Sequence, residues 1–349
     1  MPYGAAPPKK SKMGMWVAIA IVAVLVLASG GAFGFVKVSE QNQRKKDKAA
    51  VTTAVEQYYN AIAAGNAAKA LQALKNQPSS TQLLTDKVLG ASEPLTNISV
   101  TVVSQSGSSA EVEVSYSVNG KTAKPTHKLE RTDSKDGPRV WLITDRLPEV
   151  DLSAGAGSLP LLLNGQAVPD PSKAELFPGT YTISADTPYV TLTNNIITIT
   201  DRSMTRIDPV SATLTDEGVS EFRTAVRDSF EECVNAWTIA CDCGESVDRV
   251  LGSGTEVVEG SVMRVPTVET ENWLNTLEPR LNPSDPGQIT VPSPSDNIGF
   301  IVVATGTTPE GKEVVGTIGP ANSEDPRVFH LGSPKAVLDS SGTLTITWP

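Results

Sequence analysis

Three cysteines, Cys233, Cys241 and Cys243, lie close together in the chain and are its residues best suited to bond formation. A Cys-x-Cys pair with a third cysteine can bind zinc, but a closed zinc site needs a fourth ligand. The nearest histidine downstream, His330, is distant in sequence. We therefore expect no metal site and a single disulfide, which leaves one thiol that an intermolecular bond could use.

The choice of partner for Cys233 follows from the helix that precedes it. An apolar face is predicted to run along this helix, made of Val219, Phe222, Val226, Phe230, Cys233 and Trp237. A helix continuing to Cys241 would place it roughly 12 Å from Cys233 along the axis. Disulfide-bonded cysteines keep their Cα atoms within about 7 Å, so the chain must reverse. The longer loop to Cys243 favours a Cys233–Cys243 bond, and Cys241 remains the alternative.

Histidine is scarce, since it occurs only at positions 127 and 330. This scarcity weighs against a histidine-based metal centre and against a Ser-His-Asp hydrolase. The chain also has no P-loop, G-x-S-x-G, H-E-x-x-H or Rossmann glycine motif. The sequence therefore predicts no cofactor, and it favours a protein that is not an enzyme.

One apolar stretch, residues 13–36, organises the rest of the chain. It holds 24 residues without a charge between Lys12 and Lys37. This is enough for a helix to cross a hydrocarbon core of roughly 30 Å. We expect a single-pass transmembrane helix preceded by a cytoplasmic tail, residues 1–12, and followed by a stalk, residues 37–49. Most of the chain would then lie outside the cell membrane.

Two alternatives concern the end of this helix. Gly30 and Ala32 are placed like the small residues of a signal-peptide cleavage site, although the apolar run is longer than the usual 7–15 residues of such signals. Gly30 and Gly34 form a GxxxG pair that could join two helices in a homodimer. Small residues are also common in membrane helices without such a contact.

Charge is divided along the chain. Residues 1–48 contain eight basic and two acidic residues, a net of +6. Subtraction from the totals of 29 and 39 leaves 21 basic and 37 acidic residues in 49–349, a net of −16. The basic part would be attracted to anionic lipid headgroups, whereas the acidic part would be repelled by nucleic acid. We expect the cell membrane, and no nucleic acid, as a partner.

The first domain, residues 50–146, is predicted as helices followed by an antiparallel sheet of about four strands. Val51, Val55, Tyr58, Tyr59 and Ile62 recur at helical spacing, and Asn66 suits a helix N-cap. The period then changes to two, and Asn119-Gly120 is a strong hairpin signal.

This pattern resembles the nuclear-transport-factor-two-like (cystatin-like) domains of single-pass actinobacterial exported proteins of unknown function. The resemblance is carried by Tyr58-Tyr59, Ala64-Gly65-Asn66 and the strand around Trp141. It implies a cone-shaped fold. Some members of this fold are isomerases or dehydratases with a base and a donor inside the cone. The resemblance implies a pocket formed by Tyr58, Tyr116 and His127, and a core or surface histidine without a paired acid is the alternative.

The remainder is predicted to form three segments. Residues 147–158 are a linker, residues 159–206 are a small all-β module, and residues 207–349 are a second α+β domain that contains the disulfide. The predicted fold class is therefore α+β: an N-terminal transmembrane helix, a cone-like domain, a β module and a second α+β domain. The leading functional hypothesis is a non-catalytic binding or scaffold protein of the cell envelope, with envelope proteins as partners. A ligand-binding or isomerase- or hydrolase-like cone domain is the alternative, and a stress or signal sensor is a third.

Overall fold

A computed structural model describes residues 39–132, 140–200, 207–240, 243, 247–295, 297–318, 327–339 and 342–348. The predicted tail, the predicted transmembrane helix and the Gly30–Gly34 pair lie outside these residues. Within the described part of the chain, no helix is long and apolar enough to cross a membrane. The chain divides into two compact units, residues 1–49 and 50–349. Of the first unit, the structure describes only helical residues 39–49.

The first domain is a layer of helices on an antiparallel sheet. Its helices are α1 (Ser39–Ala63), α2 (Ala67–Gln72) and α3 (Asp86–Gly90). Its strands are β1 (Thr96–Ser106), β2 (Ser109–Val118), β3 (Lys121–Ala123), β4 (Thr126–Arg131) and β5 (Trp141–Ile143). The sheet order is β1-β2-β4-β5, and β3 pairs with β2. The predicted order of helices and then antiparallel strands is confirmed.

Local signals explain the ends of these elements. The side chain of Asn66 accepts a hydrogen bond from the Lys69 amide at 2.9 Å, which caps α2 as predicted. Asn119 and Gly120 adopt φ angles of 46° and 69°, so the turn between β2 and β3 is left-handed at both positions. The apolar face of α1 buries Val51, Val55, Tyr58, Tyr59 and Ile62 against the sheet.

The middle of the chain is rich in short strands. These are β6 (Glu149–Val150), β7 (Leu161–Leu163), β8 (Gln166–Ala167), β9 (Ala174–Glu175), β10 (Gly179–Ala185), β11 (Val190–Thr193) and β12 (Ile196–Ile199). One sheet has the order β12-β10-β7-β8, and β6 pairs with β9. Segment 147–158, predicted as a linker, is packed into the structure: Leu147, Val150, Leu152 and Ala156 are buried. Ser158 bonds through its amide and hydroxyl to Asp285, 127 residues away.

The C-terminal region combines two helices with two sheets. It begins with β13 (Ser211–Leu214), which pairs back with β11 of the middle module. The helices are α4 (Asp216–Val234) and α5 (Val268–Asn275). The strands are β14 (Glu256–Val257), β15 (Met263–Pro266), β16 (Arg280–Asn282), β17 (Asp285–Thr290), β18 (Gly299–Thr307), β19 (Glu313–Thr317), β20 (Val328–His330), β21 (Lys335–Leu338) and β22 (Leu344–Thr347). Strand β18 pairs with β14, β15, β19 and β20, and the second sheet has the order β16-β17-β21-β22. The mixed α+β architecture is confirmed.

The disulfide joins Cys233 to Cys243, with Cα atoms 6.0 Å apart, and this pairing is confirmed. Helix α4 ends at Val234, so Trp237 lies beyond it and is exposed, not on the buried face where the pattern placed it. The buried guanidinium of Arg264 stabilises the reversal of the chain. It donates to the carbonyls of Thr238 and Ile239 at 2.9 and 3.0 Å. Such charge-assisted bonds satisfy backbone acceptors that follow a helix end.

Candidate binding cleft at His127

A cleft of about 230 Å³ opens where the first domain meets the middle module. Its apolar lining residues are Leu74, Ile143, Leu147 and the prolines at positions 125, 148 and 178. Its polar and aromatic lining residues are Tyr58, Tyr59, His127, Asp145 and Arg146. Thr126 and Thr200 complete the lining. An apolar lining with a few polar groups is typical of a site for a small organic molecule.

Three of the polar lining residues form a line of hydrogen-bonded side chains. The Nδ1 atom of His127 lies 3.0 Å from Oδ2 of Asp145, and Nε2 lies 2.6 Å from the Tyr59 hydroxyl. The same carboxylate oxygen accepts from the backbone amide of Lys128 at 3.2 Å. All three side chains of the line are buried, with exposures of 0% for Tyr59, 9% for His127 and 6% for Asp145. Burial strengthens each of these bonds because water competes little for them.

Strand pairing brings His127 and Asp145 together. Strands β4 and β5 are antiparallel, and Leu129 pairs with Ile143. Continuing this register by two residues places Asp145 opposite His127 and on the same face of the sheet. Tyr59 reaches the imidazole from α1, which packs on that face.

The chemistry of the groups fixes the direction of these hydrogen bonds. An ionised carboxylate can only accept, so Nδ1 of His127 donates to Asp145. In the neutral imidazole, Nε2 is then an acceptor and receives the proton of Tyr59. The line therefore orients the phenol of Tyr59 with its proton towards Nε2 of His127.

Tyr58 contributes a second phenol to the cleft. Its ring contacts Tyr59, His127 and Phe177, with ring centroids 5.1, 6.5 and 6.4 Å away. Only 3% of the residue is exposed, and burial raises the pKa of its hydroxyl well above the ordinary value of 10.0. Among the residues that the structure describes, no group makes a hydrogen bond with this hydroxyl. Tyr58 lines the cleft, where a ligand could form a hydrogen bond with this hydroxyl.

The structure brings together two of the three predicted pocket residues, Tyr58 and His127, in the lining of the cleft. Tyr116 is not among the residues that line it. It is fully buried behind Tyr59, with ring centroids 5.1 Å apart. Its hydroxyl donates to the backbone oxygen of Thr200, which joins the sheet to the middle module.

Sequence reasoning missed Asp145 and the polar role of Tyr59. The alternative of a histidine without a paired acid is wrong, because His127 is hydrogen-bonded to Asp145. The missing signal was the register between the strands THKLER and WLI, because a hairpin pairing of 129 with 143 implies a pairing of 127 with 145. Tyr59 was expected only as a core residue of the helix.

The remaining candidate ligands of a metal do not converge. Cys233 and Cys243 are bonded to each other, and His330 lies in β20. Across the described ranges, no group of three or more histidine, cysteine, aspartate or glutamate side chains could hold a metal ion.

Comparisons of this chain with models of protein families, with curated proteins and with solved structures find no match.

Proposed function

We propose that this chain is a membrane-anchored, extracytoplasmic binding protein of the cell envelope that holds a small molecule in the cleft at His127. The observation that carries the proposal is the cleft itself. It is built from two parts of the chain, and its lining combines apolar side chains with a few polar groups, as in many sites for small organic molecules.

The hydrogen bonds of His127 hold its ring in place in the cleft. Both nitrogens are engaged by protein groups, one by Asp145 and one by Tyr59. The proposed role of this line is to position two buried side chains for binding, and the proposed function is non-catalytic.

Two features support the proposed location outside the membrane. Residues 13–36 form an uncharged stretch long enough to span a bilayer. The Cys233–Cys243 disulfide is typical of an oxidising compartment. Protease added to intact cells stripped of their wall should digest residues 50–349, and protection of these residues until lysis would contradict the orientation.

Ligand binding can be tested by ligand-observed NMR with small fragments on the full chain in lipid nanodiscs. The variant Thr126→Trp places a large ring in the mouth of the cleft, where Thr126 is an exposed lining residue. Lys128→Trp is the matched control, because Lys128 is exposed on the same face of β4 but does not line the cleft. Fragments that occupy the cleft should lose binding to the first variant and keep it with the second. Equal binding to both variants would place the ligand elsewhere.

A further inference from the structure

We infer that the ligand of the His127 cleft is an amphipathic carboxylate, an organic acid whose charge pairs with Arg146 and whose apolar body lies inside the cleft. This inference rests on the proposed binding function and goes further by naming the chemical class of the ligand. It follows from three properties of the lining: a cation without a partner, a carboxylate that is already paired, and six apolar residues.

The cation is Arg146, which belongs to the lining of the cleft and is exposed to solvent. Within the part of the chain that the structure describes, no group forms an ion pair or a hydrogen bond with its guanidinium. A guanidinium carries five N–H donors in a planar fork, and this fork matches a carboxylate with two parallel hydrogen bonds. A ligand carboxylate would therefore find a free partner of suitable geometry at this position.

The carboxylate of Asp145 also belongs to the lining, but it is already engaged. Only 6% of this residue is exposed. Its Oδ2 atom accepts hydrogen bonds from Nδ1 of His127 at 3.0 Å and from the amide of Lys128 at 3.2 Å. A cationic ligand would have to lose its hydration to reach a carboxylate that already has partners. An anionic head beside the exposed Arg146 keeps part of its hydration, so the charges of the lining favour an anion.

The apolar residues of the lining suit the body of the ligand. Leu74, Ile143 and Leu147 are buried, and the prolines at positions 125, 148 and 178 line the same space. The cleft volume of about 230 Å³ is below the roughly 300–1,000 Å³ of pockets for drug-sized molecules. We therefore expect a compact body, such as one aromatic ring or a short alkyl chain.

The number of charges favours a carboxylate over a phosphate. Arg146 is the one arginine or lysine among the lining residues that the structure describes. A single guanidinium balances the one charge of a carboxylate but not the charge of about −1.5 to −2 on a phosphate monoester at neutral pH. The acidic chain as a whole would repel any anion, but charges more than about 8 Å away are largely screened at physiological salt, so the adjacent guanidinium has the larger effect.

Four probes with a shared benzyl group test the head: phenylacetate, its neutral isostere phenylacetamide, benzylphosphonate and 2-phenylethylamine. Affinities are measured by NMR titration of the full chain in nanodiscs of zwitterionic lipid, at neutral pH and low salt. We expect phenylacetate to bind at least about fivefold more tightly than the other three, and to lose this advantage at high salt. Equal or tighter binding of the amide or the amine would overturn the assignment of an anionic head. Tighter binding of the phosphonate would overturn the choice of a carboxylate.

The variant Arg146→Gln tests the cation. It should weaken phenylacetate binding about five- to tenfold, as expected for a charge-assisted pair at an exposed position, and should change phenylacetamide binding less than about twofold. Arg146→Lys keeps the charge without the fork and should give an intermediate affinity. Arg249→Gln is the matched control, because Arg249 is exposed, has no ion pair with a described residue and does not line the cleft. Unchanged phenylacetate binding in Arg146→Gln, or an equal loss of both probes, would overturn the role of this charge.

The two proposals fail in different ways. If phenylacetate does not bind but other fragments are displaced by Thr126→Trp, the inference about the head group is wrong and the binding function stands. If no fragment distinguishes Thr126→Trp from Lys128→Trp, the proposed function itself is wrong.

Discussion

Replacing Asp145 by alanine should loosen the sheet at the cleft, because this carboxylate is the acceptor for two groups at once. The His127 ring donates to it at 3.0 Å, and the Lys128 amide donates at 3.2 Å. Both donors lie on β4 next to the first core. Without Asp145, both donors lose this acceptor, and the His127 ring is no longer held with its proton on Nδ1.

The expected magnitude follows from these two bonds. A buried donor that loses its acceptor costs about 1–3 kcal/mol, and the cleft lets water replace part of that loss. We therefore expect a destabilisation of about 2–4 kcal/mol for Asp145→Ala. Asp145→Asn keeps an acceptor oxygen in place and should cost about 1 kcal/mol. As a control, Asp151 accepts from the amide and hydroxyl of Ser153 in a local turn and, within the part of the chain that the structure describes, from no other residue. Asp151→Ala should therefore cost about 1 kcal/mol or less.

Amide hydrogen exchange of β4 and β5 measures this effect locally and does not require the whole chain to unfold in one step. A loss of 2–4 kcal/mol corresponds to exchange that is roughly 30- to 1,000-fold faster. The imidazole can also be observed directly by nitrogen NMR, since the chain has two histidines. In mildly alkaline buffer His127 should carry its proton on Nδ1. A proton on Nε2 instead, or unchanged exchange in Asp145→Ala, would refute the assigned direction of the hydrogen bonds.

Three further predictions concern stability. Gly218→Ala should destabilise the chain by about 1–3 kcal/mol in thermal unfolding, because the new Cβ would lie 2.4 Å from the backbone oxygen of Tyr189. Gly90→Ala is the control: Gly90 is helical and has open space around it, so this change should be neutral or slightly stabilising. Burial of Asp285 raises its pKa, but the hydrogen bonds that it accepts outweigh this and hold the pKa below the ordinary 3.8. The ionised carboxylate of Asp285 therefore stabilises the fold at pH values above 3.8, and this contribution is lost as the pH falls through the pKa of the folded state. Asp285→Asn should be less stable than the parent at neutral pH, and the two stabilities should converge in acid. Cys243→Ser should destabilise the chain by about 2–3 kcal/mol and Cys241→Ser should not, and non-reducing peptide mapping should recover the linked peptide.

The parts of the fold that the sequence could predict are those decided by local chemistry. The N-cap at Asn66, the turn at Asn119-Gly120 and the amphipathic helix ending near Cys233 each depend on a few neighbouring residues. The disulfide could be predicted from the distances that a helix and a loop can span. The Cα atoms of Cys233 and Cys243 lie 6.0 Å apart, within the separation that a disulfide requires.

Pairing between distant segments could not be predicted in the same way. Strand β13 was placed in the last domain, yet it pairs with β11, because the register of such a short strand depends on contacts that its own residues do not encode. The stretch 283–294 contains four prolines, which are typical of a loop, yet it includes β17. Pro286 is tolerated there because it lies at an irregularity of the ladder. Strand β16 pairs with Asp285 and then only with Ile289 and Thr290, and β21 pairs with β17 from Gln288 onward.

The candidate site shows why reasoning domain by domain reaches only part of it. Pro178 and Thr200 of the middle module complete the cleft, and Phe177 enters the core of the first domain. Tyr116 holds the backbone of Thr200, and Asn119 donates to Thr198 at 3.0 Å. A chain ending at residue 146 would keep His127 and Asp145 but would lose one side of the cleft. It would also lose the contact between Phe177 and the Tyr58 ring. Ligand binding should therefore depend on the packing of the two parts, because the first domain supplies the polar groups and the middle module helps to close the space around them.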